Sequence, residues 1–199
     1  MSGIISDNQG RSSGLVKSAA SSDYVKLNTT TVSSAVASVS IDGHFTSDYD
    51  YYNLYFTNVR PAADAQLDLR FNSGGSALTA SEYRNAVYTS YNKESTHRLD
   101  HEKHGRWDED YVALSVADSN NDLAGLGGVC GELQIFQPLN AVTTPQFLSK
   151  CYATSDKGAQ HHYSGGYYDV AGAISGVTLY FSGSQNTESG TFTLFGVKK

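Results

Sequence analysis

The densest run of reactive side chains in this 199-residue chain is His97-Arg98-Leu99-Asp100-His101-Glu102-Lys103-His104-Gly105-Arg106-Trp107-Asp108-Glu109-Asp110. It carries three of the six histidines, several carboxylates and the single Trp. Imidazoles at i, i+4 and i+7 share one face of a helix, and His-rich tracts can ligate a metal. A zincin-type site needs Glu directly after the first His, and Arg98 stands there. Nothing else in the run marks helix, so it reads as a long, solvated inter-strand loop whose charges cancel locally, and no metal or cofactor is expected.

A second patch joins His161-His162-Tyr163 to Tyr167-Tyr168-Asp169. Aromatic rings beside carboxylates and amides can hold the C–H faces of sugars, because the ring face is electron-rich. Trp107 and Tyr111 are a further stacking pair by the same reasoning. Exposed rings at Tyr49, Tyr51, Trp107 and Tyr167 are the candidate contacts to a host glycan. The plainer alternative is sheet decoration, since Tyr suits half-exposed strand faces.

Catalytic templates find little purchase. Neither a P-loop nor a dinucleotide fingerprint is present. Asp48 and Asp50 lie in the Tyr-rich run Asp48-Tyr49-Asp50-Tyr51-Tyr52, too common a composition to nominate a glycosidase pair. Asp118-Ser119-Asn120-Asn121-Asp122 offers oxygen ligands without the EF-hand order or its distal Glu. Cys130 has no context that makes it a nucleophile. No catalytic residue is assigned, and the chain is read as non-enzymatic.

The elements around these residues alternate with period two. Ala35, Val39 and Ile41 share a face; so do Tyr52, Leu54 and Phe56. Ala65 to Phe71 is apolar, polar, apolar throughout, a half-buried strand closed by Asn72-Ser73-Gly74-Gly75. Val112, Leu114 and Val116, then Leu133 and Ile135, Phe147, Ser149 and Cys151, and Val177, Leu179 and Phe181 repeat the pattern. The last strand opposes Phe195 and Val197 to Phe192 and Leu194. Ala80 to Thr89 passes for helix or strand. Eight to ten such strands predict an all-β, antiparallel two-sheet sandwich, jelly-roll-like, over 23–199.

Residues 1–22 follow neither period and read as a docking arm. Ile4, Ile5, Leu15 and Val16 would be buried against a partner, with Arg11 and Lys17 pairing with its carboxylates. The N-terminus lacks a signal peptide's basic start and apolar core, so with an extracellular-looking, neutral polar composition the chain is expected to leave the cell another way, cell lysis being one. A net charge of −6 and a pI near 5.4 argue against nucleic-acid binding, which needs a basic footprint. No run of 18 apolar residues is present, so no membrane-spanning helix is expected. Cys130 and Cys151 flank a hairpin whose turn lies around Pro138 to Pro145, roughly opposite each other. A cross-strand disulfide and two reduced thiols both remain open.

Gly10 to Ala19 (GRSSGLVKSA) resembles the short arm that opens many virion proteins of tailed phages of aquatic bacteria. Glu188 to Lys198 is similar to their last strand, and Tyr52 to Val59 to an early one. The resemblance implies a tail-fibre or appendage subunit, assembled in the host cytoplasm and located in the virion. Its partners would be other virion proteins through the arm, with a homo-oligomer, a trimer by family habit. A capsid decoration or cement protein is the second expectation, and a secreted carbohydrate-binding or carbohydrate-active domain the third.

Overall fold

Alternation of apolar and polar side chains fixes which face of each strand turns inward, and two sheets meet on those faces. The computed structural model describes residues 23–93, 98–115, 123–126, 128–155 and 158–199. Among them are thirteen strands: β1 (Tyr24–Val32), β2 (Val39–Asp42), β3 (Tyr49–Pro61), β4 (Leu67–Ser73), β5 (Ser76–Ala77), β6 (Tyr83–Lys93), β7 (Arg98–Glu109), β8 (Val112–Ala113), β9 (Val129–Phe136), β10 (Gln146–Ser155), β11 (Gly158–Tyr168), β12 (Gly176–Phe181) and β13 (Thr187–Lys198). A single helical turn, Leu123–Leu126, precedes β9.

An eight-stranded sheet runs β1-β13-β3-β9-β10-β11-β6-β7, and a five-stranded sheet runs β2-β12-β4-β5 with β8 also on β4. The strand pairs are antiparallel. The expected all-β sandwich is therefore the architecture. Its eight-and-five division, with a β9–β10–β11 meander, departs from the eight strands in two Greek keys of a jelly roll. The core lies between the sheets. Tyr52, Leu54, Phe56, Leu133, Phe192 and Leu194 from the large sheet meet Leu67, Leu69, Phe71, Val177, Leu179 and Phe181 from the small one. Burial of these side chains supplies the main driving force for folding.

Four expectations are corrected. The charged run beyond His97 is not a loop: from Arg98 to Glu109 it is the outer strand β7, paired with β6 from Lys93↔Arg98 to Tyr83↔Glu109. Backbone pairing needs no apolar side chain, and charges on a border strand discourage edge-to-edge association. An extended chain also removes the helical face on which the histidines would have converged. Ala35 is exposed and outside β2, because the chain there makes only an isolated bridge from Val36 to Thr187. At the start of β4, Asp68 and the preceding Gln66 are buried along with Leu67 and Leu69, so this segment is covered on both faces. Finally, Cys130 pairs with Tyr152 and Cys151 with Gly131. The pleat turns Cys151 into the core and Cys130 to the other side, and both thiols are free. The Ala80–Thr89 ambiguity resolves as strand β6.

Candidate functional site

Strands β11, β6 and β7 lie side by side in that order. On β6, Tyr83, Asn85, Val87 and Thr89 are buried, which turns Arg84, Ala86 and Tyr88 to the outer face of the sheet. On β11, His162, Ser164 and Tyr168 are buried, which turns Tyr163, Gly165 and Tyr167 outward. Registers Gly165↔Ala86 and Ala86↔Gly105 then place three of the smallest residues in one row across three strands. Such a row leaves a trough. On one side stand Tyr167 and Arg84, which are direct register partners, and then Trp107. The resulting cleft holds about 530 Å³, lined by Trp107, Tyr167, Arg84 and the three small residues among others.

A bulge aims Trp107. Between Tyr83↔Glu109 and Asn85↔Arg106, two steps on β6 match three on β7, so the Trp107–Asp108 segment carries one extra residue. Asp108 takes up a left-handed backbone, φ 58°, and bulges of this kind re-aim side chains next to binding sites. The indole is 69% exposed. Arg84 supports it: the guanidinium carbon lies 4.2 Å from the ring centroid, while the Arg84 side chain itself is 12% exposed. That cation–π contact is reinforced by ion pairs from Arg84 to Asp108 and, at 3.0 Å, to Asp169. Glu82 stands 4.0 Å away. The cleft is thus aromatic, with its main cation neutralised by three carboxylates.

Behind the cleft a polar corner fastens the end of β7 to β4. Arg106 donates from Nη2 to Gln66 Oε1 at 2.9 Å and from Nη1 to the Tyr111 hydroxyl at 2.7 Å. Gln66 donates in turn to Asp68. Arg70 donates from Nε to the Asp110 carbonyl at 2.8 Å and pairs with the Asp110 carboxylate. Asp68 is 2% exposed; burial outweighs the Gln66 hydrogen bond and the nearby Arg106 and Arg70, and pushes its carboxyl up to about 7. Under the floor, Asn85 Nδ2 donates to the Ala113 carbonyl and to Ser164 Oγ, holding β6 to β8 and β11.

Of the four nominated rings, the structure brings Trp107 and Tyr167 together and leaves Tyr49 and Tyr51 elsewhere. Tyr49 packs edge-on against Tyr52 at 5.7 Å and lines a smaller cleft of about 290 Å³ with Asp50, Pro138 and Lys199. Tyr51 lies beside Phe136 on β3, five strand spacings from β7, roughly 24 Å. Tyr111 does not stack on Trp107; it faces Arg106 instead. The His161–Asp169 patch splits by pleat: His161 and Tyr163 point out, while His162 is buried with its Nδ1 3.0 Å from Thr89 Oγ1.

Arg84, Ala86, Gly105 and Gly165 were missed by sequence reasoning. The signal present was the Gly165-Gly166 pair inside an aromatic strand, since glycine within a strand marks an open or closely approached surface. Ile4, Ile5, Arg11, Leu15, Val16 and Lys17, along with His97 and Asp118–Asp122, lie outside the described residues. So does Gly10-Arg11-Ser12-Ser13-Gly14, which fits the letters G-x-S-x-G but follows Ser6-Asp7-Asn8-Gln9 rather than an apolar strand. Among the described residues no three His, Cys, Asp or Glu side chains converge as a metal site would require. No protein-family model matches the chain, and comparison with curated proteins finds no similar one.

Proposed function

We propose that this chain is a non-enzymatic virion appendage subunit, anchored through residues 1–22, whose sandwich contacts a host-surface glycan in the Trp107–Tyr167 cleft. The observation that carries the glycan contact is the row Gly165–Ala86–Gly105 bordered by two aromatic rings. A floor of two glycines and an alanine admits a flat ligand edge-on, and the rings offer π faces to its C–H groups. A cleft of about 530 Å³ is in the range of small-molecule sites. The virion placement is supported by the resemblance of the arm, of an early strand (Tyr52 to Val59) and of the last strand to tailed-phage structural proteins. Tail-fibre location, the trimeric state and assembly in the host cytoplasm belong to the same reading.

Binding of the full chain to host cell-wall polysaccharide, with adsorption measured beside it, tests this function. Trp107→Ala is expected to weaken binding at least about tenfold. Gly105→Leu gives a second probe: a Cβ at Gly105 meets nothing within 4 Å, so the backbone there has room to start a side chain, and leucine's would occupy the trough. It should abolish binding and leave the melting temperature unchanged. Full binding by Gly105→Leu would refute the cleft. A capsid decoration protein uses the same anchor and sandwich without a sugar contact. A cryo-EM map of the particle with the chain on the head, together with no polysaccharide binding, would establish that alternative.

A further inference from the structure

The trough has a continuation on the same outer face. Beyond the row Gly165–Ala86–Gly105 comes the row Tyr163–Tyr88–Lys103, again set by register across β11, β6 and β7. On the far side of Tyr163 lies a second cleft of about 400 Å³, bordered by Tyr55, Tyr152, His161 and Tyr163. Tyr152 and His161 are register partners on β10 and β11, with ring centroids 5.4 Å apart in an edge-on arrangement. Tyr55, Tyr88, Tyr152 and Tyr163 are all more than one-third exposed. Of this second cleft, His161 and Tyr163 belonged to the polar-aromatic patch read from the sequence, whereas Tyr55 and Tyr152 were not among its ring candidates.

We infer that the two clefts are subsites of one track for an extended, uncharged polysaccharide, running diagonally across β7, β6, β11 and β10. The inference rests on the reading of the Trp107 cleft as a glycan site. Tyr163 and Tyr167 are four residues apart on β11, roughly 13 Å; Tyr152 is three strand spacings from Trp107 across the sheet, roughly 14 Å, and its partner His161 is six residues along β11 from Tyr167, roughly 20 Å. A single sugar cannot touch both clefts; a chain of several can. Charge selects the class of chain. In the first cleft Arg84 is met by Glu82, Asp108 and Asp169, and in the second Lys150 is met by Glu132 at 3.2 Å. Neither cleft has surplus positive charge for an acidic polysaccharide, and three carboxylates at the first repel one. The exposed rings are Tyr and Trp, and their polar heads suit a hydroxyl-rich ligand better than an apolar protein face.

The test is calorimetric titration of the full chain with cello-, malto- and chito-oligosaccharides from disaccharide to octasaccharide. Affinity for at least one series is expected to rise with length. Tyr152→Ala should lower octasaccharide affinity about tenfold while leaving disaccharide affinity unchanged, and Tyr152→Phe should restore it. Trp107→Ala should weaken both lengths. Length-independent affinity, or a Tyr152→Ala protein that binds octasaccharide as wild type does, refutes the track and leaves the Trp107 cleft standing. No binding of any series, or binding indifferent to Trp107→Ala, removes both. Tighter binding of heparin fragments than of every neutral series overturns the assignment of charge class. Concentration-dependent self-association that Tyr152→Ala abolishes, without sugar binding, reassigns the face to a second copy of this chain.

Discussion

Asp68 and His162 are buried titratable groups whose protonation equilibria are shifted in opposite senses. Burial raises the Asp68 carboxyl from 3.8 to about 7, so the folded protein holds this proton more tightly than the unfolded chain. Its stabilising contribution is complete below 3.8, shrinks as pH rises and is gone above about 7. Burial, with the neighbouring His161 and His104, lowers His162 from 6.5 to about 4. Its contribution is complete above 6.5 and shrinks as pH falls towards 4. Between about 4 and 6.5 the two slopes oppose, each at most about 1.4 kcal/mol per pH unit. Urea unfolding across that window is expected to expose one slope at a time in single variants. Asp68→Asn should gain stability as pH rises, and His162→Gln should lose it. Parallel profiles for the two variants would contradict the assignment.

At the scale of strands, glycines in neighbouring positions do different work. A Cβ on Gly166 would lie 2.1 Å from the Arg84 carbonyl oxygen and 2.7 Å from Asn85 Cβ, where β11 presses on β6. Gly105, on the outer strand β7, faces open space. Gly166→Ala is therefore expected to cost about 1–3 kcal/mol through overpacking, seen as a melting point lower by several degrees. Gly105→Ala should be neutral or stabilising, because glycine weakens a strand interior. Equal melting temperatures for the two would show that β6 and β11 do not approach as closely as described. The same pairing explains Trp107: without the β7 bulge the indole would follow the regular pleat.

For the molecule as a whole, the strands lie within residues 24–198, and β1 closes one side of the large sheet by pairing with β13 from Tyr24↔Val197 to Val32↔Gly190. A chain starting at Ser21 retains all of these pairings. It is expected to stay soluble, with a β-type circular dichroism spectrum and a cooperative melt, and to lose incorporation into particles. Loss of the melt would mean that residues 1–20 belong to the fold rather than to a partner.

Local pattern was enough for the sandwich and for much of its core. The alternation at Tyr52, Leu54 and Phe56, and at Val177, Leu179 and Phe181, assigns an inner face before any partner strand is known, since side-chain direction repeats every two residues. The hairpin between Cys130 and Cys151 was equally legible from its prolines. Partner choice and register are long-range properties, and these had to come from the folded chain. The setting of Asp68 depends on Ala113 of β8, its register partner, and on Arg106 of β7, which holds Gln66 and lies near its carboxylate; both come from some forty residues along the chain. The trough depends on Gly165, Ala86 and Gly105 falling in one row, and a shift of one residue in either pairing would move them to opposite faces. Trp107 and Tyr167 were nominated separately by their chemistry; only the order β7-β6-β11 made them walls of one cleft.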